Sequence, residues 1–146
     1  VMQPIFLYEL GKNFREYLDE DRLGKVYPLK SILDFKINLA LSTDAPVVND
    51  FNPLKGIQCA VERKDANGNE IGGAEKISVD DAIYAYTLGS AAANDDEESR
   101  GRISRGKVAD FVVVNKNAVE SRYLSGLKVE TTFLHGILEC DNRVQS

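Results

Sequence analysis

The sequence predicts an α/β chain, a strand-helix-strand unit followed by further helices, with a small β block at its end. Three observations carry that prediction. Residues 37–41, Ile-Asn-Leu-Ala-Leu, form an apolar run of strand length that Ser-Thr-Asp-Ala-Pro then halts. An earlier apolar run at residues 1–7 precedes residues with helical spacing, so two strands flank a helical crossover, the unit from which parallel sheets are built. Beyond Gly101 the residues take on strand character.

Taken in order, residues 1–7 read as a strand, and residues 12–23 carry Phe14, Tyr17, Leu18 and Leu23 at spacings that suit an amphipathic helix. Pro28 opens a second helix over residues 29–35, since proline is tolerated in a first turn, with Ile32, Leu33 and Phe35 expected to face a core. The strand at residues 37–41 delivers Asp44 to a sheet rim, where Pro46 prevents continuation. A loop leads to a short helix at residues 54–63. Asn67-Gly68 and Gly72-Gly73 punctuate an insertion whose polar flanks predict a solvent-exposed excursion in place of a core hairpin.

Ser78 is the expected N-cap of the next helix, with Asp80 and Asp81 in a first turn that favours negative charge. That helix should bury Val79, Ala82, Ile83, Tyr86 and Ala93. Asp95, Asp96, Glu97 and Glu98 read as a solvated loop or helix end. Strands are expected at residues 102–103, 111–114 and 131–138, the last folded into a hairpin about His135-Gly136. The organisation expected is therefore one unit over residues 1–99 and a small β domain over residues 100–146.

At 146 residues the chain suits one domain of ordinary size and falls short of the roughly 250 residues of a complete (β/α)8 barrel. Eighteen Lys and Arg against 23 Asp and Glu give a formal charge of −5, which repels nucleic-acid phosphates and anionic membranes. No run of 18 apolar residues and no basic leader is present, so neither a membrane span nor a secretory signal is expected in these residues. Cys59 and Cys140 lack metal-ligand spacing and read as reduced thiols of a cytoplasmic protein.

The carboxyl ends of parallel strands are where α/β enzymes keep their chemistry, which makes Asp44 the candidate. By itself an Asp between an apolar run and a proline more often marks a turn or an N-cap. Asp110 opens a strand beside Lys107 and reads as structural, and Gly106-Lys107 lacks the rest of a phosphate-loop pattern. His135 is the single histidine and reads as a turn residue; no Ser-His-Asp or Cys-His arrangement can be built on it. Ser42 and Thr43 read as strand-end packing.

Ser42-Thr43-Asp44-Ala45-Pro46, Val61-Glu62-Arg63, Ile77-Ser78-Val79-Asp80-Asp81-Ala82 and Gly101-x-Ile103-x-x-Gly106-Lys107-x-Ala109-Asp110 follow one another in a telling order. Together they resemble the C-terminal part of the amidohydrolase superfamily of metal-dependent hydrolases, especially the branch with N-substituted formamide deformylases. Residues 1–7 and 27–33 resemble that branch too, so the resemblance runs from about residue 1 to about residue 139. It implies a C-terminal fragment of a (β/α)8 TIM barrel, its last two βα units, with strands of a small β-sandwich domain. A start at Val1 inside an apolar run is what such a fragment would show.

The resemblance further implies a divalent metal, usually zinc, with Asp44 as both catalytic residue and metal ligand. Metal-bound water has a pKa of about 7, and a carboxylate can take its proton during attack on a carbonyl and return it to the leaving nitrogen. The implied substrate is a small molecule with an amide, formamide or cyclic amide C–N bond. The histidine ligands of that family have no match here, and one carboxylate does not hold zinc, which takes three protein ligands in a catalytic site. The chain alone is thus expected to be inactive and completed by the remainder of the barrel. A rival expectation from another class is a non-catalytic assembly module, pairing exposed strand edges with another copy or with the missing barrel half.

Overall fold

Pro4 decides how the chain begins. The structure, a computed structural model, describes residues 1–120 and 124–145. Pro4 has no N–H to offer a ladder and already has helical φ −63° and ψ −21°, so helix α1, Ile5–Glu9, starts directly after it. The strand expected at residues 1–7 is therefore reduced to one parallel bridge, Met2 with Leu41. Met2 donates its N–H to the Ala40 carbonyl at 2.9 Å, and Ser42 donates its N–H to the Met2 carbonyl at 2.9 Å. Residues 37–41 likewise form no ladder beyond that bridge. On its other side Leu41 donates to the Ala85 carbonyl at 3.0 Å, a helix residue, so no second strand extends the pairing.

The single helix expected at residues 12–23 is two, α2 (Gly11–Tyr17) and α3 (Glu20–Gly24), because Leu18 is extended and Asp19 caps the second. Its carboxylate accepts the Arg22 N–H at 2.9 Å. Helix α4, Leu29–Asp34, turns Ile32 and Leu33 toward the core, whereas Phe35, expected to face inward, is 79 % exposed just past its end. Helix α5, Pro53–Glu62, is capped by the Asn52 side chain and buries Gly56, Ile57, Cys59 and Ala60. Helix α6, Val79–Tyr86, carries the capping box in which Ser78 and Asp81 satisfy each other's backbone donors. It stops at Thr87, whose hydroxyl donates to the Ile83 carbonyl at 2.7 Å, and α7, Leu88–Ala92, follows; Ala93, expected inside, is exposed.

Residues 64–73 stay largely exposed, as their polarity predicts, but two of them, Asp65 and Ile71, turn inward. Asp65 is buried and folds the turn around its carboxylate, accepting the N–H groups of Asn67 at 2.9 Å and Asn69 at 2.8 Å and pairing with Arg15. A buried carboxylate is tolerated where donors surround it. The same turn seats Ile71 in the interior. One apolar cluster holds the molecule together: Leu29, Leu39, Leu41, Ile57, Ala60, Ile77, Ala82, Ala85 and Leu124.

The last part is an antiparallel sheet of three strands in sequence order, β1 (Phe111–Val114), β2 (Val129–Leu134) and β3 (Ile137–Asp141). Residues 102–103, expected as a strand, lie outside it. His135 and Gly136, at φ 51° and 77°, form the expected hairpin turn between β2 and β3. Phe111 and Phe133 stack at 4.6 Å across the β1–β2 pair. Cys59 and Cys140 are both free. Among the described residues no helix is long and apolar enough to cross a membrane.

Candidate functional site

Asp44 stands just beyond the Met2–Leu41 bridge, at the end of a segment anchored from two sides. Ser90 Oγ donates within reach of the Leu41 carbonyl at 2.9 Å and the Ala85 carbonyl at 2.7 Å, and the Tyr86 hydroxyl donates to the Ser42 carbonyl at 3.3 Å. Upstream, the Asn38 amide donates to the Gly89 carbonyl at 3.1 Å. Helices α6 and α7 therefore clamp residues 38–42, where a strand partner would otherwise sit. Asp44 itself is exposed, with a left-handed φ of 53°, and the Ala45–Pro46 bond that follows is cis. Its carbonyl accepts the Val47 N–H at 3.0 Å, so the backbone turns away at once.

Two residues to which sequence reading assigned no role lie close by, Tyr27 near Asp44 and Gln3 against Ser42. Tyr27, at φ 51°, packs its ring against Phe6 and Phe14, with centroids at 6.4 and 6.2 Å. Burial pushes its phenol above the usual range, and the charge of Asp44 adds to the rise. Gln3 donates its amide Nε2 to Ser42 Oγ at 3.3 Å. The one available signal for Gln3 was a polar side chain inside an apolar run immediately before Pro4.

The other sequence candidates lie elsewhere. Asp110 pairs with Arg100 and accepts the His135 N–H at 2.8 Å, which ties the start of β1 to the hairpin turn. His135 thus serves the turn geometry that its left-handed φ requires. Burial pushes the Cys59 thiol up to about 12, which leaves it inert as a nucleophile at neutral pH. Among the described residues, no three His, Cys, Asp or Glu side chains converge to hold a metal ion. The residues of this chain do not by themselves fit a catalytic metal; Asp44 offers one carboxylate.

The model of the amidohydrolase family matches residues 2–136, nearly the whole chain. The chain belongs to the amidohydrolase family. Within that family it is 36 % identical over 140 residues to a Bacillus subtilis (strain 168) protein named amidohydrolase YtcJ, covering 92 % of this chain and 26 % of the relative. It is 27 % identical over 141 residues to the N-substituted formamide deformylase of Arthrobacter pascens, covering 94 % of this chain and 26 % of that enzyme. The chain thus spans about a quarter of the length of the curated relatives it matches. Among solved structures it is similar to an uncharacterized metal-dependent hydrolase from Pyrococcus horikoshii OT3, with TM-score 0.62 and 26 % identity over 74 % of this chain and 22 % of that one.

Proposed function

We propose that this chain is the C-terminal part of a metal-dependent amidohydrolase that cleaves a C–N bond in an amide, formamide or cyclic amide. The observation that carries the reading is the exposed Asp44 carboxylate just past a parallel backbone pairing, in a chain of the amidohydrolase family. Two adjacent parallel segments, each followed by helices, are what the last two βα units of a (β/α)8 barrel would contribute. Residues 1–99 would belong to that barrel and residues 100–146 to a small β domain. The name of the Arthrobacter pascens relative supports a formamide as one substrate class.

Asp44 would act as the proton carrier: one Oδ takes a proton from the attacking water and returns it to the departing nitrogen. A divalent cation, zinc in this reading, would supply an activated water, held chiefly by groups outside this chain. The chain alone would then be inactive. In the intact protein supplied with zinc, Asp44→Asn should lower kcat about 10²–10⁴-fold, the range of a lost general acid or base. An Asp44→Asn protein with full activity would overturn the assignment.

A second reading has its own support in the outer strands of the sheet. Among the described residues strands β1 and β3 each pair on one side only, and Ile137 and Leu138 are exposed on β3. Such edges accept further strands. Sedimentation of this chain would test it: a concentration-dependent dimer supports assembly through the sheet, and a monomer at all concentrations counts against it.

A further inference from the structure

We infer that Gln3 is a specificity-determining residue of the proposed hydrolase, its Oε1 accepting the N–H of the substrate's scissile amide. The inference rests on the hydrolase reading above and extends it to the group that recognises the substrate's nitrogen.

The backbone pairing sets the direction of the side chains. Met2 and Leu41 sit opposite each other in the parallel bridge, and both pack with the apolar cluster under the helices. Side chains alternate along extended segments, so the next residue on each, Gln3 and Ser42, projects the other way. There they meet, Gln3 Nε2 donating to Ser42 Oγ at 3.3 Å. Asp44 is two residues further along the same segment.

Ser42 is a fixed post. Its N–H is bound to the Met2 carbonyl at 2.9 Å and its carbonyl takes the Tyr86 hydroxyl at 3.3 Å, so its backbone is held in place. Binding to its side-chain oxygen fixes which way the Gln3 carboxamide faces. Gln3 is half-buried, and among the described residues nothing donates to its Oε1. A carboxamide with one end anchored and its acceptor open is suited to an N–H brought in by a ligand. An amide substrate carries that N–H on the bond to be broken, whereas the matching ester has an oxygen there, with no proton to give. A site built to bind a donor discriminates strongly against the analogue that lacks it.

The test compares an N-substituted formamide with the formate ester of the same substituent, in the intact zinc-supplied protein. Gln3→Leu should lower kcat/KM for the formamide about 10–100-fold and leave the ester within about threefold. Gln3→Glu, which keeps an acceptor oxygen, should recover much of the formamide rate, and Ser42→Ala should fall between. A loss equal on both compounds would mark Gln3 as merely structural, and no loss on either would leave it without a role; both outcomes overturn the inference. If the wild type turns over neither compound, the inference on Gln3 fails, while the hydrolase reading stands or falls on the Asp44→Asn comparison. If Asp44→Asn is inactive while Gln3→Leu is unselective, only the inference on Gln3 is lost.

Discussion

The guanidinium of Arg63 donates to the main-chain carbonyl of Tyr27 at 3.0 Å, linking the end of α5 to the residue whose phenol lies within the field of Asp44. The same side chain reaches the carbonyls of Ile71 at 2.8 Å and Val26 at 2.5 Å, and it is fully buried. Burial lowers its pKa to about 10, which still leaves it charged at neutral pH. Two otherwise separate loops, at residues 26–27 and at residue 71, are held to the end of α5 by one cation.

Replacing that cation should therefore be severe. Arg63→Met keeps much of the volume but leaves three inward-facing carbonyls without their donor, at a cost of about 3 kcal/mol or more. Urea denaturation of the purified protein measures it, and a loss under about 1 kcal/mol would show that water replaces the guanidinium.

Acid should loosen the same region. Burial would raise the Asp65 pKa, but the donors of Asn69, Arg15 and Asn67 outweigh it and hold the carboxyl below its usual range. At Glu75 burial is likewise outweighed, here by the Ser31 hydroxyl and N–H with Arg63 nearby. A depressed folded-state pKa gives stability that is complete above the ordinary carboxylate value of about 4 and is lost as pH falls through the folded value. Unfolding free energy measured from pH 5 down to pH 2 should fall less steeply for the double variant Asp65→Asn, Glu75→Gln than for the wild type. Parallel slopes would mean other carboxylates govern acid unfolding.

Gly56 and Tyr86 are coupled by contact. A methyl group at Gly56 would overlap the Tyr86 hydroxyl, the same hydroxyl that donates to the Ser42 carbonyl beside the Asp44 turn. Gly56→Ala should cost about 1–3 kcal/mol by overpacking, and Tyr86→Phe about 1 kcal/mol for the lost hydrogen bond. The double variant should be less destabilised than the sum, since removing the hydroxyl makes room for the methyl. Strict additivity in thermal or urea unfolding would refute the coupling.

Helices α4, α5 and α6 and the β2–β3 hairpin were legible from the chain because each is marked by local chemistry. Pro28 and Asn52 start helices, Ser78 and Asp81 box a third, and His135-Gly136 supply two left-handed residues in succession. These signals act over a few residues and need no distant partner. The turn at residues 64–70 is exposed along most of its length, as its polarity predicts, whereas the burial of Asp65 was not legible because the partners that satisfy it include Arg15 from a distant helix.

At the candidate site the same division holds. The sequence by itself determined that Asp44 ends an apolar segment before a proline and that the motifs around it are those of the amidohydrolase family. Only the tertiary structure decided that the flanking apolar runs meet in a single parallel bridge, that α6 and α7 clamp the segment, and that Gln3 turns to Ser42. The physical reason is separation: a cap or tight turn is settled by neighbours in the chain, whereas a backbone pairing or a buried donor's acceptor depends on residues tens of positions away.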